Sequence, residues 1–216
     1  MSAVVFDLDG TLVDSAPDVQ AALNRVLEKR GHPPFSLERV RGFIGNGVTL
    51  LLHRSMEAVG APEAEFDGWR DDYLGQYGEA VCELTRPYPG MVEALDRLVR
   101  DGYRLGICTN KPQQLTDGLL AALGLADRFG AVLGGDAGFG LKPAPQGLAE
   151  VVRRLGEGPA VMVGDSLADA GAARAAGLPL ILHAGGYRDR EVAEMGPDAA
   201  FEDWATLPGL VRDLLG

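Results

Sequence analysis

Residues 2–15 read SAVVFDLDGTLVDS. Ala3, Val4, Val5 and Phe6 have the near-continuous apolar character of a strand buried on both faces. The chain then turns polar within one residue: Asp7 and Asp9 flank a single leucine, and Gly10 permits a tight turn. Aspartate is a poor strand former. A buried strand that delivers two carboxylates to its carboxyl end therefore needs a chemical reason.

Four further apolar runs continue the pattern: YRLGICTN, GAVLGGD, PAVMVGD and LPLILHA. Helix-like stretches lie between them, among them MVEALDRLVRDG and QQLTDGLLAALGL, each running into a glycine that can stop it. This alternation predicts an α/β fold, a doubly wound, Rossmann-like parallel sheet with helices on both faces. Ligands of such sheets sit beyond the carboxyl ends of the strands.

The first crossover is too long for one helix, since about a hundred residues separate SAVVFD from YRLGICTN. Inside it, APDVQAALNRVLEKRG, GVTLLLHRSMEAVG and AEFDGWRDDYLGQYGEAV all read as amphipathic helices. RPYPG then returns the chain to the core. We expect an inserted α-helical cap over residues 14–85 and an α/β core from residues 1–13 and 86–216.

Of the 216 residues, 46% are hydrophobic and 24% charged, and the formal net charge is −11. That balance argues against a nucleic-acid binder, which usually shows a basic stripe. The initial apolar run is short and lacks a basic segment before it, so neither a signal peptide nor a membrane span is expected. Two cysteines, Cys82 and Cys108, cannot make a secreted-type disulfide framework, and Cys108 reads as a small core residue. A cytoplasmic protein is expected, as a monomer or small homo-oligomer. His32, His53 and His183 lack metal-ligand spacing with Cys or Glu and read as structural or surface residues.

The strand ends collect Asp7 and Asp9, then Thr109 and Asn110, then Lys142 in GLKPAP, and finally Asp165 and Asp169 in VGDSLADAGAARAAG. Four carboxylates at one rim repel one another unless a positive charge lies among them. A hard divalent cation with oxygen ligands, Mg²⁺ by preference, meets that need. Lys142 and the Thr109 hydroxyl suit phosphate oxygens. Together the set suits phosphoryl transfer. Asp165 with Ser166 also has the makings of a helix N-cap.

DLDGTLVDS, ICTNKP, KPAP and GDSLAD, in this order, resemble the four signature motifs of the haloacid dehalogenase superfamily. The resemblance covers essentially the whole chain and counts the insertion as that superfamily's cap. It implies that Asp7 is a nucleophile forming an aspartyl-phosphate and that Asp9 is the general acid and base. It further implies Mg²⁺ held by the Asp7 and Asp165 side chains and the Asp9 carbonyl, with Asp169 orienting a metal-bound water. Thr109, Asn110 and Lys142 would bind the phosphoryl oxygens. Asp9 favours a phosphatase over a dehalogenase, because an alkoxide needs a proton to leave and a halide does not.

DSAPDVQAALNRVL, VRGFIGNGVTLLLHRSM, PYPGMVEALDRL and TNKP are similar to the phosphoglycolate phosphatases. That similarity implies a small phosphorylated metabolite, with Arg41 in RGFIGNG a candidate for its carboxylate. The stretch HAGGYRDRE departs from the GYNYG-like segment of that group after the tyrosine. Asp7 and Asp9 would equally serve a sugar phosphomutase of the beta-phosphoglucomutase type. A non-catalytic binding protein on this fold would lack the nucleophile or the acid, and both are present.

Overall fold

The protein is described by a computed structural model covering residues 2–156, 158–187 and 190–216. In chain order its elements begin with β1 (Ala3–Phe6), β2 (Val13–Asp14), α1 (Ala16–Lys29), α2 (Leu37–Arg41), α3 (Gly47–Val59) and α4 (Phe66–Glu79). There follow β3 (Arg86–Pro87), α5 (Met91–Arg100), β4 (Arg104–Cys108), α6 (Gln113–Ala122), β5 (Ala131–Leu133) and α7 (Gln146–Arg154). The chain closes with β6 (Ala160–Gly164), α8 (Leu167–Ala176), β7 (Leu180–His183), α9 (Val192–Met195), β8 (Ala199–Phe201) and α10 (Leu207–Leu215).

Every residue of β1 is buried, and its side chains alternate between two cores. Val4 and Phe6 pack with Leu95, Ile107 and Trp204 on one face, whereas Ala3 and Val5 pack with Leu148, Val151 and Met162 on the other. Such a strand has no solvent side, hence no polar position before Asp7. Parallel pairing sets the sheet order β5-β4-β1-β6-β7-β8. β1 is thus central, and Phe6 stands level with Ile107 on one neighbour and Val163 on the other. The residues just past these three strands are Asp7, Thr109 and, one position beyond Gly164, Asp165. Their common rim is the point where the strand order reverses, the expected ligand crevice.

The five apolar runs all become strands of this sheet. The sixth strand, β8, is only three residues long and half exposed at its start, so it carries no run to read. Also unread in the sequence are α2 and the two-residue ribbon β2–β3, which pairs Val13 with Pro87 and Asp14 with Arg86. That ribbon ties together the two chain crossings between the sheet and the helical insertion.

Helices α1 to α4 share their own hydrophobic cluster. In α1 the buried positions Val19, Ala22, Leu23, Val26 and Leu27 follow helical spacing. In α4, Trp69, Tyr73 and Tyr77 lie four residues apart on a single stripe and are all buried. Leu115 of α6 belongs to the same cluster, so the insertion rests on the core beside the strand-end rim. Among the described residues no helix is long and apolar enough to cross a membrane.

Asp18 anchors the return of the insertion. Its buried carboxylate accepts from the Leu84 N–H at 2.9 Å, the Thr85 N–H at 2.7 Å and the Thr85 hydroxyl at 2.6 Å. Removing it strands three donors, two of them on buried Thr85. Asp18→Ala is therefore expected to lower stability by about 3 kcal/mol. Urea unfolding should show this as a reduced midpoint at unchanged slope.

Candidate active site

Three backbone devices place the site's side chains. The Asp7 N–H still reaches the Val163 carbonyl at 2.9 Å, and the Thr109 N–H reaches Leu133 at 3.0 Å, so both residues continue the ladder one step past their strands. Gly10 turns the chain with φ of +89°, and a Cβ there would meet Asp165 Oδ2 at 2.3 Å. Its carbonyl accepts a 3.0 Å bond from buried His183 Nδ1, which fixes that ring's tautomer, since a carbonyl cannot donate. His183 is otherwise packed among Tyr88, Phe201 and Trp204, in keeping with a structural role.

Asp7, Asp165 and Asp169 converge. All three are buried, and one carboxylate oxygen from each lies within 4.8 Å of the others. Lys142 faces them with Nζ 2.7 Å from Asp7 Oδ1 and 2.6 Å from Asp169 Oδ1. Burial works against the Lys142 charge, but Asp169 and Asp7 outweigh it and hold the ammonium well above its ordinary range. One cation among three carboxylates leaves the cluster short of positive charge. Burial, partly offset by Lys142 and reinforced by Asp169, pushes Asp7 up to about 7. Burial together with Asp169 and Asp7 pushes Asp165 well above the carboxylate range. A buried all-oxygen donor set that resists its own ionisation fits a hard divalent cation.

The members differ in what else holds them. Asp165 accepts from the Thr11 hydroxyl at 2.8 Å and the Tyr187 N–H at 2.7 Å. Asp169 sits at the third position of α8, where its Oδ2 accepts from the backbone N–H groups of Asp165 and Ser166 and from the Ser166 hydroxyl. The Ser166 hydroxyl oxygen in turn accepts from the Asp169 N–H, completing a capping box. Ser166, not Asp165, is thus the N-cap. Asp169 is a brace linking α8, Lys142 and the loop after β6.

Asp9 lies outside this trio and faces the helical insertion. Its Oδ1 accepts from the Ser15 hydroxyl at 2.5 Å and from Lys111 Nζ at 3.1 Å. Lys111, with its side chain only 3% exposed, also reaches the Tyr77 hydroxyl at 2.5 Å. Burial and the Asp9 charge push that phenol well above its ordinary range, so it stays neutral. Sequence reasoning did not single out Lys111, although it follows directly on Thr109 and Asn110. Tyr77 gave no polar signal, because its helical spacing reads as core.

Thr109 is buried and its hydroxyl oxygen accepts from the Lys111 N–H at 3.2 Å; among the described residues its own proton has no acceptor. Asn110 is engaged through its side chain: it donates to the Gly45 and Lys142 carbonyls at 3.0 Å and accepts from the Lys142 N–H at 2.8 Å. That amide locks the Lys142 loop and touches the insertion. Arg41 pairs with Asp14 at 2.9 Å and is 44% exposed, so it stands at the rim and not beside Asp7. Asp14 also accepts from Tyr187, whose following residues Arg188 and Asp189 in HAGGYRDRE lie outside the described residues.

Two cavities open on this rim. One, of about 450 Å³, reaches Asp7, Asp9 and Thr109 and is walled by Ile44, Val48, Leu51 and Leu115. The other, of about 670 Å³, lies between Asp9, Asp165 and Ser166 on the core and Arg41 and Arg54 on the insertion.

A family model described as haloacid dehalogenase-like hydrolase matches residues 1–177. The phosphoglycolate phosphatase of Cereibacter sphaeroides is 42% identical over 217 residues, covering all of both chains. That of Caulobacter vibrioides is 38% identical, covering 99% of this chain and 92% of its own. A crystal structure described as a predicted phosphoglycolate phosphatase from Haemophilus somnus superposes with a TM-score of 0.91. It is 32% identical and covers 97% of both chains. The chain belongs to the haloacid dehalogenase-like hydrolases. Within them it is a phosphatase, similar over its whole length to the phosphoglycolate phosphatases.

Asp7 binds its proton more tightly folded than unfolded, so without metal the protein should lose stability as pH rises from about 4 to about 7. A divalent cation competes with that proton. The gain in Tm on exchanging EDTA for Mg²⁺ is therefore expected to be small at pH 5.5 and to grow toward pH 8. Thermal melts across that range measure it, and a gain independent of pH would count against these ligands.

Proposed function

We propose that the protein hydrolyses a small carboxylated phosphomonoester, 2-phosphoglycolate being the leading candidate, through an aspartyl-phosphate on Asp7. The observation that carries this reading is the contrast between two acids two residues apart. Asp7 faces Lys142 and the carboxylate trio, whereas Asp9 faces Lys111 and a mostly apolar cavity. Two carboxylates in different surroundings suit two different tasks.

Asp7 attacks phosphorus as the bond to the leaving oxygen breaks, and Asp9 gives that oxygen its proton. Water then attacks the phosphoryl group; Asp9 takes the water's proton, and the bond to Asp7 breaks to release phosphate. Thr109 and Lys142 bind phosphoryl oxygens through the hydroxyl proton and the ammonium. Asn110 acts by fixing the Lys142 loop. Asp7 and Asp165, with the Asp9 carbonyl, would hold Mg²⁺, which when bound neutralises charge on the phosphoryl group. Asp169 holds Lys142 and the α8 N-terminus in place for that set.

Residues 14–85 act as the cap that closes over the rim and excludes bulk water. Arg41 and Arg54 at the outer cavity attract an anionic ester toward it. The small substrate class is supported by the branched apolar side chains of Ile44, Val48, Leu51 and Leu115, which form the insertion side and flank of the inner cavity. The names of the relatives point the same way.

Phosphate release from 2-phosphoglycolate, hexose phosphates and p-nitrophenyl phosphate, with Mg²⁺ and with EDTA, tests the reading. Metal-dependent release should be strongest on 2-phosphoglycolate; preference for hexose phosphates would refute the substrate and keep the chemistry. Asp7→Asn should abolish turnover with the fold intact. Asp9→Asn should cost about 10²–10⁴-fold on alkyl esters and much less on p-nitrophenyl phosphate, whose leaving group needs no proton. Equal losses would argue against Asp9 as the acid.

A further inference from the structure

We infer that Lys111, with the Tyr73 hydroxyl, is the specificity determinant that reads a carboxylate on the leaving group; this rests on the substrate reading above. Lys111 is a buried ammonium on the loop after β4, one residue past Asn110, and it lines the inner cavity that also reaches Asp7. A lysine is rarely buried without a reason, because its charge must be matched by close partners. Here one carboxylate, Asp9, and one neutral phenol, Tyr77, meet it. The ring of Tyr77 also lies 4.4 Å from Nζ.

Asp9 cannot be both a permanent counter-ion and a free proton donor to the leaving oxygen. A second carboxylate, brought by the substrate, can take over part of the ammonium's donor capacity, since Lys carries three N–H groups. The cavity contains no other cation. Asp7, Asp9, Thr109 and Asn110 line its core side, and Val19, Ile44, Val48, Leu51 and Leu115 line its apolar side, so Lys111 is the cation in its wall that an anionic group on the leaving group meets.

Tyr73 supplies the independent observation. It is 1% exposed and lines the same cavity, yet its hydroxyl has no hydrogen-bond partner among the described residues. Its ring centroid lies 5.7 Å from that of Tyr77, so the two rings form one wall beside Lys111. A phenol on the cavity wall with its donor unclaimed, near a buried ammonium, offers a planar anion a second hydrogen bond. Arg41, engaged by Asp14 at the exposed rim, has no place in this cavity.

The test compares 2-phosphoglycolate with ethyl phosphate, which has a methyl group in place of the carboxylate. Lys111→Met should lower kcat/KM for 2-phosphoglycolate by roughly 10- to 100-fold more than for ethyl phosphate. Tyr73→Phe, which removes only the hydroxyl, should shift the same ratio by about 5- to 10-fold, mainly through KM. Glycolate should inhibit the wild type competitively and each variant more weakly. If Lys111→Met does not fold, Tyr73→Phe and glycolate inhibition decide alone. A wild type indifferent to the carboxylate defeats the substrate reading and the inference with it. A selective wild type whose selectivity survives in the folded variants overturns the inference alone.

Discussion

The burial of Asp7, Asp165 and Asp169 against the single ammonium of Lys142 is the constraint on which the rest of this structure depends. Three carboxylates in a low-dielectric interior repel one another, and one lysine cannot neutralise them. Such an arrangement persists only where the scaffold holds each member separately. The sheet holds Asp7 and Asp165 on adjacent strand ends; the capping box of α8 holds Asp169; the Asn110 amide holds the Lys142 loop. Even Gly10 is dictated by it, since any side chain there would collide with Asp165. The site's three carboxylates outnumber the one ammonium that faces them, and their oxygens suit a hard divalent cation.

The opposite face of the rim is built on a different principle. Asp9, Lys111 and Tyr77 form a nearly neutral group whose members come from the turn after β1, the loop after β4 and α4. Tyr73 and Tyr77 serve both as core residues of the insertion and as walls of the inner cavity. The packing that stabilises the four-helix cluster therefore also shapes the space next to Asp9. Changes in that packing are felt at the site without touching a charged residue.

Much of this was legible in the sequence because parallel sheets leave strong signals. A strand buried on both faces, such as AVVF before Asp7, can be read from four residues, and its carboxyl end locates the rim. The inserted helices were visible from their spacing. What stayed hidden was short or ambiguous: β8 has three residues, and the β2–β3 ribbon has two per strand. Lys111 stayed hidden because a lysine before a proline looks like any loop lysine until its burial is seen. Asn110 was legible as a strand-end polar residue, but that its amide braces Lys142 depends on a loop some thirty residues away. Asp169 was legible as an acid beside the metal ligands, but its part in the capping box of α8 and its pairing with Lys142 depend on contacts the sequence does not display.

The division of the two lysines follows from their neighbours. Lys142 meets only acids, so its charge is bound tightly to the cluster and has no spare partner to exchange. Lys111 meets one acid and one phenol in a cavity it shares with Asp7, Thr109 and a set of branched apolar side chains, so a further anion would draw on donors that Lys142 cannot spare. Placing an exchangeable cation next to Asp9 makes the environment of that acid depend on what fills the cavity. Recognition and proton transfer would then share one carboxylate, and an ester lacking a negative charge on its leaving group would leave Asp9 held as it stands in the empty site. Selectivity of this kind needs no contact from Arg41 at the exposed rim; it draws on the wall that Tyr73 and Tyr77 of α4 already form beside Lys111.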